Sequence, residues 1–414
     1  MLERLEMEGV GPSPRLSFEF APRLNLLTGD NGLGKTFVLE LAWWALTRNW
    51  DDVPALPRPD RNVVPSVQAV IQTWGGRKSI KRDVVLVPGQ SPSTFMPPRN
   101  GLTVYARVDG SFSVWDRIRN NRKVGYFRVP AQPAFDFTPD ELWNRLERDG
   151  RTLCNGLIQD WVAWQIKDAE PFHRLKRVLE TLSPGTHEPL IPGEPTRISI
   201  DEVRDIPTLQ MPYGLVPLTH VSAAVKRIVG LAYLLVWSWE EHVRAAELSR
   251  EPVTDHIVLL VDELESHLHP RWQRLILPSL LEVVRALRED VKVQVIAVTH
   301  SPLVLASAEP VFDEAQDALF MFDLVDREVK ATKAEWRPRG DANAWLTSEV
   351  FDLKEPRSVE AEQAITAAKA ALKDPNLPIE EVRRIHNELY RVLRDTDPFW
   401  PRWLARAEAA GIDP

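Results

Sequence analysis

The segment Gly29-Asp30-Asn31-Gly32-Leu33-Gly34-Lys35-Thr36 satisfies the pattern G-x-x-x-x-G-K-[ST], and it restricts the fold more than any other stretch of this chain. In such a loop the backbone N–H groups close around phosphate oxygens, at distances where a Cβ would intrude. Asn31, Gly32, Leu33 and Gly34 are therefore expected to present their backbone to a nucleoside triphosphate. Lys35 would reach the β and γ phosphates, and the Thr36 hydroxyl would ligate Mg²⁺. The flanks agree with this. Arg23 to Thr28 is a short apolar run suited to a buried strand, and Phe37 to Leu46 has helical spacing. The loop then aims a helix N-terminus at the phosphates, which requires an α/β fold.

Two further strands end in polar groups. His256-Ile257-Val258-Leu259-Leu260-Val261 is continuously apolar, as a strand buried on both faces should be, and it runs into Asp262-Glu263. This is a Walker B pattern: Asp262 would hold Mg²⁺, and Glu263 would polarise the attacking water as general base. Two acids ending a strand at the surface would be the plainer reading. Val291 to Val298 is a third apolar strand and ends in Thr299-His300-Ser301-Pro302. Strand ends of this kind are where ligands bind in open α/β sheets, so His300 could meet the γ-phosphate or the water.

With 414 residues the chain has room for two or three structural units, and 44% hydrophobic with 27% charged residues is an ordinary globular balance. The longest strongly apolar stretch, Ile228 to Trp237, is too short to span a bilayer and is flanked by Arg227 and Glu240. No signal-peptide pattern opens the sequence, and the single cysteine, Cys154, excludes internal disulfides and a Cys-based zinc site. A cytoplasmic protein with no membrane partner is expected. A net charge of −8 does not advertise nucleic-acid binding, though it permits a local basic groove.

Together the three motifs resemble ABC-type ATPases, in particular the SMC/RecF/OLD-like branch of DNA repair and phage defence. Asp262-Glu263-Leu264-Glu265-Ser266-His267-Leu268-His269-Pro270 looks like that branch's Walker B and D-loop, and Thr299-His300-Ser301 like its switch histidine. The resemblance covers roughly residues 1–350. It implies a P-loop NTPase with an ABC-type antiparallel β-subdomain and a helical lobe, using ATP and Mg²⁺. It also implies a homodimer or higher oligomer joined through composite ATP sites, working with a separate effector protein such as a nuclease. The family's signature motif, which reaches a phosphate on the opposite subunit, is best matched by Val221-Ser222-Ala223-Ala224-Val225-Lys226-Arg227, with Ser222 as helix N-cap. Here Ala224 replaces the usual second glycine. The lid glutamine is assigned to Gln159, with Gln165 as runner-up.

The remaining sequence outlines four regions. Residues 1–135 hold the phosphate loop and a strand-rich subdomain from Val64–Trp74, Lys78–Val87 and Leu102–Val114, punctuated by Gly75-Gly76, Pro88-Gly89 and the hairpin signal Asp109-Gly110. Residues 136–205 read as a helical lobe closed by a Pro/Gly-rich break at Ser183–Thr196, and 206–349 as a second ATPase lobe. Residues 350–414 form a C-terminal helical tail. No heptads are sustained, so long coiled-coil arms are not expected. In the residues after His300, the separate Glu and Asp-x-Asp cluster that a Toprim nuclease needs to hold two metals is not expected. Two basic clusters (Arg77, Lys78, Lys81, Arg82; Arg117, Arg119, Arg122, Lys123), with Trp115 and Tyr126 nearby, could track a nucleic-acid backbone or simply form a solvated face. In the tail, Ile379, Val382, Ile385, Leu389 and Val392 share a helix face, followed by Phe399, Trp400 and Trp403. These side chains are expected either to pack on the ATPase lobe or to anchor a partner. The function expected is that of an ATP-hydrolysing motor or sensor subunit in a DNA-processing or anti-phage system. The alternative is a slow-turnover, nucleotide-controlled scaffold that sequesters or activates a partner protein.

Overall fold

The computed structural model describes residues 1–50, 58, 63–72, 79–85, 101–120, 123–124, 127–128, 132–185, 188–374 and 376–412. They fall into two compact units, Met1–Ala342 and Asn343–Pro414.

The first unit is built on an eight-stranded sheet. Its order is Phe135–Phe137, Phe112–Asp116, Leu102–Ala106, His256–Val261, Lys292–Val298, Leu24–Gly29, Asp317–Val325 and Glu328–Ala334. The five strands from Leu102–Ala106 to Asp317–Val325 run parallel, and the outer ones pair antiparallel. Every residue of His256–Val261 is buried, as is every residue from Leu24 to Thr28. This is why these strands read as unbroken apolar runs instead of alternating. The strand that ends in His300 lies between the phosphate-loop strand and the Walker B strand. That order brings all three carboxyl ends together at one edge. Two polar residues inside the parallel strands, Asn25 and Gln294, are satisfied by backbone groups. Asn25 exchanges hydrogen bonds with the Ala21 backbone, and Gln294 does the same with Leu2 while also donating to the Ala21 carbonyl.

A second, antiparallel sheet has the order Arg15–Glu19, Leu2–Glu8, Ser66–Gln72, Ser79–Val85. Its inner face, including Leu2, Leu5, Met7, Val67 and Ile71, shares one core with Val38, Leu39 and Trp43 of the Lys35–Thr47 helix. The antiparallel subdomain is therefore present, but with different membership from that expected. Leu102–Val114 does not join it. The chain turns at Asp109-Gly110, where Gly110 has φ +83° and Arg107 N–H donates to the Ser111 carbonyl. The first arm then enters the main sheet beside the Walker B strand. Alternation in sequence marks a strand without saying which sheet it joins. Gly75-Gly76 and Pro88-Gly89 lie outside the described residues.

The expected helical stretch Asp140–Leu182 is only partly helical. Pro139–Trp143 is a short helix with a Thr138/Glu141 capping box. A hairpin follows, Leu146–Arg148 with Arg151–Cys154, and then come the helices Leu157–Ile166 and Glu170–Leu182. Asp149 and Gly150, both at positive φ, supply the turn. A three-stranded antiparallel sheet follows, Ile191–Thr196, Ile206–Met211 and Gly214–Pro217, whose first strand lies in the Pro/Gly-rich region. The helix begun at Ala223 runs on to Ser249, well past Trp237, because Glu240 to Glu247 is rich in helix formers. No described helix is long and apolar enough to cross a membrane.

The second unit contains the helices Val359–Ala371, Ile379–Val392 and Trp400–Ala409. Ala364, Ile365, Val382, Ile385, Leu389, Phe399, Trp400 and Trp403 form their own core. These side chains pack on one another within the unit and so are not laid open as an anchor. Ile379, in the first turn of its helix, is 57% exposed and does not belong to that core.

Candidate functional site

Three glycines shape the phosphate loop. Gly29, Gly32 and Gly34 all have positive φ. A Cβ on Gly29 would lie 2.2 Å from the Phe322 carbonyl oxygen, so only glycine lets the loop leave the sheet there. Gly34, left-handed at φ +86°, opens the Lys35–Thr47 helix without a side-chain cap, which leaves the N–H groups of its first turn free for an anion. Asp30, Asn31 and Gly32 are exposed and Leu33 is buried beneath them. Lys35 is buried, and its ammonium donates to the carbonyls of its own loop, Gly29 at 3.0 Å and Asp30 at 2.6 Å. Burial lowers its pKa to about 8, against the opposing pull of Asp30, Asp262, Glu263 and Glu265.

At the Walker B strand end, Asp262 is buried. Its Oδ2 accepts a hydrogen bond from Thr36 Oγ1 at 2.9 Å, and its Oδ1 is buried without a hydrogen-bond partner among the described residues. Burial raises the carboxyl pKa, with the Thr36 bond opposing and Glu263 adding to the rise. An orphaned carboxylate oxygen beside a threonine hydroxyl is a donor set that fits a hard divalent cation. Residues present therefore suit Mg²⁺ with a triphosphate.

Glu263 follows in the left-handed region at φ +45°. The turn beyond it is pinned by Leu264 N–H to the Val298 carbonyl at 3.0 Å and Ser266 N–H to the Glu263 carbonyl at 2.9 Å. Glu265 points across to the third strand end, where its carboxylate accepts from Thr299 Oγ1 at 2.7 Å and His300 N–H at 2.5 Å. Ser301 caps the Pro302–Ala308 helix and donates to Gln273. His300 is half-buried, and burial together with the Lys35 charge lowers its pKa, so the ring is neutral near pH 7. Lys35, Thr36, Asp262, Glu263 and His300, which are far apart in sequence, thus lie on one edge of one sheet.

Other expected positions are elsewhere. Ser222 is the exposed N-cap of the Ala223–Ser249 helix, accepting from Val225 N–H at 3.3 Å. Gln159 is exposed on the Leu157–Ile166 helix. Gln165 accepts from Trp161 Nε1 and donates to the Gly193 carbonyl, which ties it to the helical region. Only part of the two basic clusters lies among the described residues. Arg117 pairs with Glu251, Arg119 pairs with Glu241 and lies over the Phe135 and Trp237 rings, and Trp115 is fully buried. Arg77, Lys78, Arg122 and Tyr126 lie outside the described residues. Sequence reading missed Glu265 and Arg227 as members of the site. Glu265 carried a weak signal, an acid two residues beyond Glu263. Arg227 carried none.

The chain is similar to several known proteins. The family described as "AAA domain, putative AbiEii toxin, Type IV TA system" matches residues 120–306. The chain is 24% identical to the Septu protein PtuA of Bacillus thuringiensis, over 96% of this chain and 95% of that one. Among solved structures it resembles the SMC head domain from Thermotoga maritima (15% identity, 81% of this chain, 99% of that one, TM-score 0.37). It also resembles the recombination mediator protein RecF in its RecFOR-pathway structure (13% identity, 81% and 98%, TM-score 0.36). A glycine-rich phosphate loop set between a buried parallel strand and a helix gives the chain a P-loop NTPase fold, and residues 120–306 match the AAA-domain family model.

Proposed function

We propose that this protein binds ATP with Mg²⁺ and hydrolyses it, as the motor or sensor subunit of a prokaryotic DNA-processing or anti-phage system that includes a separate effector. The observation that carries the reading is the Thr36–Asp262 hydrogen bond with the orphaned Asp262 Oδ1 beside it. In the proposed site Mg²⁺ would be held by Thr36 and Asp262 and would offset charge on the β and γ phosphates. Lys35 would exchange its loop carbonyls for phosphate oxygens. The loop N–H groups from Asn31 to Gly34 and the helix start would orient the triphosphate. Glu263 would take the proton of the attacking water, and His300, held through Glu265, would orient that water or the γ-phosphate.

Ser222, exposed at a helix start, would meet the γ-phosphate of a second copy, which makes the active form a head-to-tail homodimer. The likeness to PtuA supports placing the chain in a defence system. Turnover assayed on the purified protein, with and without DNA, tests this. Glu263→Gln should bind ATP and lose hydrolysis. A Glu263→Gln protein that hydrolyses at the wild-type rate overturns the role given to Glu263. ATP turnover too slow to detect in the wild type, with tight ATP binding retained, favours the scaffold that Ala224 in the signature-like segment leaves open.

A further inference from the structure

Arg227 sits one turn into the helix that Ser222 caps. Its guanidinium reaches three main-chain carbonyls in two loops. Nη2 donates to Asp262 O at 2.9 Å and Glu263 O at 3.3 Å, and Nη1 donates to Val108 O at 3.1 Å. The first two carbonyls belong to the turn that carries the proposed water-activating residue, and the third to the hairpin loop after the neighbouring strand. Asp109, Asp262, Glu263 and Glu265 surround the guanidinium electrostatically, yet among the described residues its hydrogen bonds go to backbone only. A planar fork with several donors can bridge carbonyls in this way, where a lysine offers one compact ammonium.

The placement matters because Glu263 is left-handed, a conformation that a glutamate keeps only when its surroundings hold it. Backbone bonds also hold this turn: Asp262 N–H to Ala106 O, Leu264 N–H to Val298 O and Ser266 N–H to the Glu263 carbonyl that Arg227 shares. Arg227 adds a side-chain tie to the Asp262 and Glu263 carbonyls, from the helix whose N-terminus is the signature candidate.

We propose that Arg227 is a positioning residue that sets the direction of Glu263 and makes that direction follow the start of the Ser222-capped helix. The proposal rests on the reading of Glu263 as the group that activates water. Any shift of the helix start on meeting a second copy's nucleotide would then be passed to the hydrolytic turn through a single side chain.

Two variants of the full chain test it. Arg227→Met removes every donor and keeps the stem, while Arg227→Lys restores the charge with one point of contact. Arg227→Met should lower kcat for ATP at least tenfold and leave ATP affinity within twofold, and Arg227→Lys should recover part of kcat. Hydrogen exchange should quicken in the peptide covering 262–268 and stay unchanged in the preceding strand. Wild-type kcat in both variants, or equal losses of kcat and affinity with exchange raised throughout, overturns the proposal. If the wild type hydrolyses no ATP, or Glu263→Gln does not slow it, the catalytic reading falls instead. Exchange in Arg227→Met then still decides whether the arginine holds the turn.

Discussion

The Lys35 ammonium already lies among the carbonyls of its own loop, so a triphosphate must compete for it. Its value there is as a fixed counter-charge for the β and γ oxygens, and Lys35→Ala should weaken ATP binding at least a hundredfold by titration calorimetry. Glu265 acts through others: its two accepted hydrogen bonds hold Thr299 and the His300 backbone. Charge-assisted bonds of this sort contribute about 1.5–3 kcal/mol each. Glu265→Gln keeps the shape and loses the charge, so kcat should fall about tenfold with KM little changed, as steady-state kinetics would show. Gly29 answers to a different constraint, since a methyl group there meets the Phe322 carbonyl at 2.2 Å and φ is +127°. Gly29→Ala should destabilise the fold by about 2 kcal/mol, read as a lowered urea midpoint in protein without nucleotide.

Among the elements, the C-terminal helices are the ones whose packing defies the sequence expectation most clearly. Trp403 is fully buried and donates its indole N–H to His386 Nδ1 at 3.3 Å, while Asp397 pairs with Arg357. Burial lowers the His386 pKa, so the folded unit holds a neutral imidazole. The Asp397 carboxyl is also lowered: burial pushes it up, and the bond to Arg357, the Phe399 N–H and nearby arginines outweigh that. Both groups bind protons more readily when unfolded. Stability from His386 is therefore complete above its ordinary pKa near 6.5 and is lost as pH falls below it. The Asp397 contribution follows the same sign at lower pH. Protection of peptides covering Ile379–Val392 and Trp400–Ala409, corrected for intrinsic exchange, should decline between pH 7 and 5.5, and His386→Phe should flatten that decline. Truncating a buried Phe or Trp to Ala costs about 3–5 kcal/mol. The triple change of Phe399, Trp400 and Trp403 to Ala should accordingly abolish protection across these helices.

At the scale of the whole molecule, the role proposed for Ser222 predicts that the site is completed by a second copy. Glu263→Gln should double in mass on adding ATP, by light scattering, because nucleotide that binds the closed pair preferentially stabilises it. Ser222→Arg in that background should remain monomeric; an unchanged mass with and without ATP in Glu263→Gln would refute the composite site. Much of this assembly was legible beforehand because its physics is local. The phosphate loop needs glycines at set intervals, and a parallel strand buried on both faces must be apolar throughout. Both demands are written at consecutive positions, so Gly29 to Thr36, Asp262, Glu263 and His300 could be named from the chain alone. Their convergence on one edge, Glu265 held against Thr299, and Arg227 bound to the Asp262 and Glu263 carbonyls could not. Neither could the sheet that Leu102–Ala106 joins, nor the closure of Phe399, Trp400 and Trp403 on their own helices. Those outcomes depend on which distant surfaces meet, and an arginine or a tryptophan carries the same local signature whether it faces water, a partner or the backbone of another loop.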